Sequence, residues 1–291
     1  MPAVLKLGPV KTIRLAFSPD SDDAFMFWPL LNQKVTSGAY TFEAQRADTE
    51  TLNAWAQEGR MDVIAISMAQ YLNVAQDYLL LPHGASVGRG YGPVIVAPQA
   101  RTLDSLQNTQ IAVPGLRTTA YMVTRLLVPA FEPVVVPIVP YEAVFGALRQ
   151  GRVDAAVLIH EGRLLYEREG FAKVADLGEA WAARTAGLPL PLGGNAIHRR
   201  LGDAAVAEIS DICRESIRWA LAHKDQVMDA LMAEDPNAVL GRKELETYLS
   251  MYANDDTLNA PNDVKRGLEV LFEHALHAGL VAQAPAVLWA P

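Results

Sequence analysis

Ala155-Ala-Val-Leu-Ile-His-Glu-Gly-Arg163 is five apolar residues followed at once by a polar cluster. A run this short, ending in charge, reads as a strand buried on both faces. Short apolar runs recur at 13–17 and 62–67, runs rich in Val and Ile at 94–97, 111–113 and 134–139, and 40–46 alternates like a half-buried strand. Helical stretches fall between or after them at 22–31, 49–58, 119–127, 142–149 and 161–169. Strands alternating with helices predict an α/β fold with largely parallel sheets. From about Gly202 only helices follow, at 201–224, 225–233, 242–251 and 261–278, and they are expected to pack on one α/β unit. No Gly/Ser-rich or Pro-rich linker and no internal repeat divides the chain. This fits two lobes woven by a chain that leaves the first and returns, with 92–98 and 193–198 as the candidate extended crossings. The expected division is 1–95 plus 198–291 for lobe one and 96–197 for lobe two, with a ligand cleft between them.

Composition narrows the function. The 291 residues are 51% apolar and 20% charged, which excludes a disordered chain. Lys+Arg 25 against Asp+Glu 33 leaves a net charge of −8, so no cation excess exists to displace phosphate counterions, and nucleic acid is not an expected partner. No apolar run of about 18 residues occurs, so no membrane helix is expected. Residues 1–17 are broken by Lys6, Gly8, Pro9, Lys11 and Arg14 and lack a secretory signal pattern. The chain reads as cytoplasmic. The single cysteine, Cys213, lies in an apolar stripe with Ile209, Ile212 and Ile217, which predicts a core residue.

Several segments could carry chemistry. His160 stands at the carboxyl end of a buried strand, where open α/β sheets bind ligands, and imidazole suits proton transfer near neutral pH. The plainer alternative is a cap for the next helix. Glu161 and Arg163 share that position. Pro114-Gly-Leu-Arg-Thr-Thr119 leads from a strand into a helix, so Thr118 and Thr119 either cap it or offer donors to a carboxylate. Ser18-Pro-Asp-Ser-Asp-Asp23 follows the first strand in the same way, and Ser67 closes the strand at 62–66. Gly88-Arg-Gly-Tyr-Gly-Pro93 lacks the order of a nucleotide-binding fingerprint and reads as a loop of close backbone approach. No zinc-binding spacing and no nucleophile elbow is present. A zinc site is therefore not expected. One histidine, several hydroxyls and backbone donors suit binding, or proton abstraction from a carbon acid.

Taken together, Ile159-His-Glu-Gly-Arg163, Gly187-Leu-Pro-Leu-Pro-Leu-Gly-Gly194, Gly88-Arg-Gly-Tyr-Gly-Pro93, the stretch from Ser18-Pro19 to Asp23-Ala-Phe-Met-Phe27, and Tyr252-Ala-Asn-Asp-Asp-Thr-Leu258 resemble the 1,4-dihydroxy-6-naphthoate synthase family of the futalosine route to menaquinone. The resemblance covers nearly the whole chain. It implies the two-lobed fold of type II periplasmic binding proteins, a cytoplasmic enzyme, a small carboxylate substrate and no cofactor. The implied reaction is carbon–carbon cleavage of cyclic dehypoxanthinyl futalosine, with His160 as proton acceptor. Ala65, Ile66 and Ser67 and the turn bearing Thr118 and Thr119 fall at the family's substrate contacts, and Ser18, Asp23, Glu161 and Arg163 complete the expected site. One loop departs. The family usually reads Ser-Pro-Cys-Pro-Asn-Asp-Thr-Phe, and this chain reads Ser18-Pro-Asp-Ser-Asp-Asp-Ala-Phe25. Ala65 also replaces a usual Lys. Gaining Asp20 and Asp22 while losing a cation keeps two other readings open: a solute-binding protein or diverged paralogue for a related small acid, and the sister chorismate dehydratase.

Overall fold

A computed structural model describes residues 11–235 and 238–291. Most of the N-terminal stretch read for a secretory signal lies outside these residues. Among the described residues eleven strands form two sheets: β1 (Lys11–Phe17), β2 (Tyr40–Arg46), β3 (Val63–Ser67), β4 (Tyr78–Leu80), β5 (Ser86–Gly88), β6 (Val94–Ala97), β7 (Gln110–Val113), β8 (Glu132–Val135), β9 (Ala155–Leu158), β10 (Ala172–Asp176) and β11 (Leu190–His198). The first sheet has the order β2-β1-β3-β11-β4, with β5 also pairing β11. The second has the order β10-β6-β9-β7-β8.

The sheets are mixed rather than largely parallel. Strands joined by helical crossovers pair in parallel: β1 with β2 and β3, and β7 with β8 and β9. The strands next to the lobe crossings are antiparallel. β6 pairs antiparallel with β9 and β10, and β11 with β3, β4 and β5. The expected domain limits shift accordingly. Val94–Ala97 belongs to the second sheet, and Leu190–His198 to the first. The chain therefore crosses at 89–93 and returns at 185–189, eight or more residues before the expected boundary at 198. Gly92 and Gly178 make the outward crossing possible. A Cβ on Gly92 would lie 2.8 Å from the Gly178 nitrogen, and one on Gly178 would lie 2.0 Å from the Tyr91 oxygen.

Two other expected elements are shorter. The strand expected at 134–139 spans Glu132–Val135, because Pro137 and Pro140 have no N–H to extend a ladder. Pro133 is tolerated since β8 is an edge. The helix expected at 161–169 is Gly162–Leu165, followed by turns to Gly170 at φ 82°.

The C-terminal helices do not stay on one unit. Helix Asp203–Ala222 packs on helix Ser21–Leu31. Helix Arg242–Tyr252 contributes Leu245, Tyr248, Leu249 and Tyr252 to an apolar cluster with Val94, Phe145 and Leu158 of the second sheet's unit. Cys213 is 1% exposed in the core, and burial pushes its thiol up to about 12. No helix among the described residues is long and apolar enough to cross a membrane.

The topology gives the two sheets one functional edge. β1, β2 and β3 each run into a helix starting at Ser21, Thr49 or Met68, and β7 and β9 run into helices starting at Thr119 and Gly162. Their carboxyl ends deliver Asp20, Thr49, Ser67, Thr118 and His160 to one cleft.

Candidate active site

The cleft encloses about 740 Å³ of space free of protein atoms, its open mouth included. It gathers most of the expected residues: Ser18, Asp23, Ala65, Ile66, Ser67, Thr118, Thr119, His160 and Arg163 all line it. Glu161 does not. It faces a neighbouring hollow on the other side of His160 and ties the lobes. Its Oε1 accepts from Ser21 N at 2.9 Å and Ser21 Oγ at 2.7 Å, and its Oε2 accepts from the Tyr141 hydroxyl at 2.9 Å.

His160 sits on a forced turn. β9 is buried along its length, and the chain must reverse into helix Gly162–Leu165 within three residues. His160 takes φ 50° to do so, a left-handed conformation uncommon outside glycine and often found at functional sites. The turn aims the ring across the cleft at the first loop. Nδ1 is in direct contact with Asp20 Oδ2, and Nε2 lies 2.9 Å from Thr49 Oγ1. Burial alone would push both groups toward neutrality. Their mutual attraction wins, holding Asp20 down at about 2 and His160 up at about 10.

The other first-loop carboxylates have different surroundings. Asp22 is 3% exposed and accepts from Ser86 Oγ at 2.5 Å and the Tyr248 hydroxyl at 2.9 Å. Burial, then the charges of Asp20 and Asp23, drive its carboxyl well above the usual range. Asp23 accepts from Ser18 N at 2.8 Å, and burial, then Asp20, raises it to about 8. The loop therefore carries less negative charge than its sequence suggests. Asp20 is neutralised by His160, and its two neighbours are pushed toward the protonated form. Asp20, Asp22 and His160 place donor atoms within 4.8 Å of one another, but these atoms already engage each other or the hydroxyls of Ser86 and Tyr248.

The opposite wall is richer in hydrogen-bond donors. Asn53 fixes Ser67 through both its amide atoms, donating to Oγ at 3.0 Å and accepting from Ser67 N at 2.9 Å. The Ser67 hydroxyl proton is left to face the cleft. Thr118 caps helix Thr119–Leu127 by accepting from Tyr121 N at 3.1 Å. Thr119 Oγ1 accepts from Ala69 N at 3.1 Å and donates to Leu192 O at 2.7 Å, stitching the lobes. The N–H groups of that helix start add positive potential. Glu50 closes the turn from outside, accepting from Arg117 N at 3.1 Å and pairing with its guanidinium at 2.8 Å. Arg163 reaches the cleft but gives Nη2 to Asp176 at 2.8 Å, and its guanidinium lies 5.7 Å from the centre of the Tyr91 ring.

Thr49, Asn53, Ser86 and Tyr248 were not singled out in the sequence, and Tyr252 appeared there only as the start of a motif. Tyr248 and Tyr252 are four apart on a helix and read as an apolar stripe. Only the fold brings them over a loop more than 220 residues away.

The arrangement is a base-bearing end, a donor-bearing end and apolar walls of Leu52, Ile66, Ile159 and Leu192. A 1,4-dihydroxy-6-naphthoate synthase of Thermus thermophilus is 36% identical over 280 residues, covering 96% of this chain and all of that protein. One from Streptomyces coelicolor is 34% identical over 278 residues, covering 93% and 95%. A solved protein of Archaeoglobus fulgidus superposes with a TM-score of 0.85 at 39% identity, covering 93% of this chain and 98% of its own. The alkanesulfonate-binding protein of Xanthomonas axonopodis shares the fold alone, with a TM-score of 0.70 at 14% identity over 97% of both chains. Residues 13–277 match the menaquinone biosynthesis family. On these matches the chain belongs to the menaquinone biosynthesis family, built on the two-lobed periplasmic-binding-protein fold.

Proposed function

We propose that the protein is a cytoplasmic carbon–carbon lyase of menaquinone biosynthesis, converting cyclic dehypoxanthinyl futalosine to 1,4-dihydroxy-6-naphthoate. The observation that carries this reading is His160, held at a strand end on the cleft wall and backed by a carboxylate. The substrate's carboxylate lies at the donor end, against the Ser67 hydroxyl and the N–H groups at the start of helix Thr119–Leu127. Its fused ring lies between the apolar walls. His160 Nε2 takes a proton from the carbon next to the carbonyl, whose oxygen receives the electron pair. Return of that pair breaks the adjacent carbon–carbon bond, the leaving fragment keeps the bonding pair and takes the proton back from the His160 imidazolium, and aromatisation of the ring makes the step favourable. No other group is required for the charge balance: the proton gained by His160 is compensated by Asp20. The test is turnover of cyclic dehypoxanthinyl futalosine by the purified protein and by His160→Asn.

A second reading is favoured by the first loop. Asp20 and Asp22, absent from the family's usual pattern, stand on the cleft wall itself. A diverged paralogue acting on, or only binding, a related small acid would show ligand-dependent stabilisation without formation of the naphthoate product.

A further inference from the structure

Resting on that reading, we propose that Asp20 is the positioning residue of His160: its carboxylate fixes the imidazole with Nδ1 protonated and so makes Nε2 the nitrogen that receives the substrate's proton. The geometry assigns the pair without ambiguity of partner. Every other carboxylate near the ring is engaged elsewhere. Asp22 takes the hydroxyls of Ser86 and Tyr248, Asp23 takes the Ser18 amide, and Glu161 takes Ser21 and Tyr141. Asp20 gives one oxygen to His160, while its other oxygen is buried without a partner. Among the described residues His160 is the one cationic group in contact with it.

On the far side of the ring, Thr49 Oγ1 lies 2.9 Å from Nε2. With Nδ1 protonated, neutral Nε2 accepts from that hydroxyl until a substrate C–H replaces it. When Nε2 takes the proton, the imidazolium forms beside a carboxylate already in place, so no group has to move to balance the charge. Asp20 touches neither substrate nor reacting atoms in this scheme and acts through His160. It stands at one of the positions where this loop departs from the family's usual sequence, so the device belongs to this chain's own variation.

The experiment is ¹⁵N NMR of histidine-labelled full-length protein, with the His160 signals identified by their absence from His160→Asn. In the unaltered protein Nδ1 stays protonated on both sides of the titration, and the midpoint lies well above the ordinary 6.5. In Asp20→Asn the midpoint falls by about one unit or more. A neutral form protonated on Nε2, or an unchanged midpoint in Asp20→Asn, overturns the proposal. The first of these needs no variant and so does not depend on Asp20→Asn folding. With substrate, Asp20→Asn lowers kcat by about 100-fold or more, keeps KM within about threefold, and moves the rising limb of the rate profile to lower pH. A role confined to structure would leave that limb in place. Because the NMR arm uses no substrate, it separates failure of this assignment from failure of the proposed reaction.

Discussion

Asp20 and His160, 140 residues apart, meet where the loop after β1 faces the turn after β9, and the buried contact joins one lobe's loop to the other's. The site's pH behaviour and the division of roles among four neighbouring carboxylates follow from that contact.

A base must be unprotonated to act. With His160 raised from 6.5 to about 10, the reactive fraction grows with pH well beyond neutrality. The kcat/KM profile should climb through pH 8–9 instead of levelling near 6.5. A profile already flat by pH 7 would contradict the pairing.

Stability should run the other way. His160, Asp22 and Asp23 all hold protons more tightly folded than unfolded. Their contributions are complete below the unfolded values and are lost as pH rises through the folded ones. Asp20, lowered to about 2, opposes this only below about pH 4. The melting temperature should therefore decline from about pH 5 to pH 10, and in His160→Asn the part of the decline above pH 8 should flatten. A melting temperature that rises between pH 6 and 9 would exclude this assignment.

His160→Asn should separate chemistry from folding. Asparagine accepts the left-handed backbone at φ 50° better than most residues, so the variant should keep the turn and lose only the stability of the buried pair with Asp20, while losing activity by about 10²–10⁴-fold. His160→Val, which cannot take that conformation without strain, should lose more stability. Calorimetry of the two variants checks the contrast.

At the donor end, Ser67→Ala removes a hydroxyl held by Asn53 but no lobe contact. KM should rise about 10-fold, the worth of one hydrogen bond to a charged group at about 1.5–3 kcal/mol, with kcat nearly unchanged. Steady-state kinetics reads the split.

Glu161→Ala should act on closure and stability. It leaves the half-buried Ser21 amide and the hydroxyls of Ser21 and Tyr141 without their acceptor. Unsatisfied buried donors cost about 1–3 kcal/mol, measurable by denaturant unfolding. An unchanged midpoint would show the tie to be dispensable.

Local readings of the sequence transferred well where one segment sufficed. The strand at 155–158, its polar end at His160, and the cap at Thr118 could be seen from a few residues each. The return strand β11 was harder. Pro189, Pro191, Gly193 and Gly194 look like a loop, yet the register shifts between Pro191 and Gly193 let the strand pair β5 first and then β3 and β4. The carboxylates of the first loop were visible, but their states were not. Whether Asp20, Asp22 or Asp23 carries charge depends on His160, Ser86 and Tyr248, which lie far along the chain and come near only once both sheets and the C-terminal helices are assembled.

The central claim is that His160 starts cleavage of a carbon acid in this cleft. Incubating the purified protein with cyclic dehypoxanthinyl futalosine, beside His160→Asn, tests it most directly. The account predicts 1,4-dihydroxy-6-naphthoate from the parent and at least about 100-fold less from the variant. Equal product from both, or none from a folded parent that binds the substrate, would contradict it.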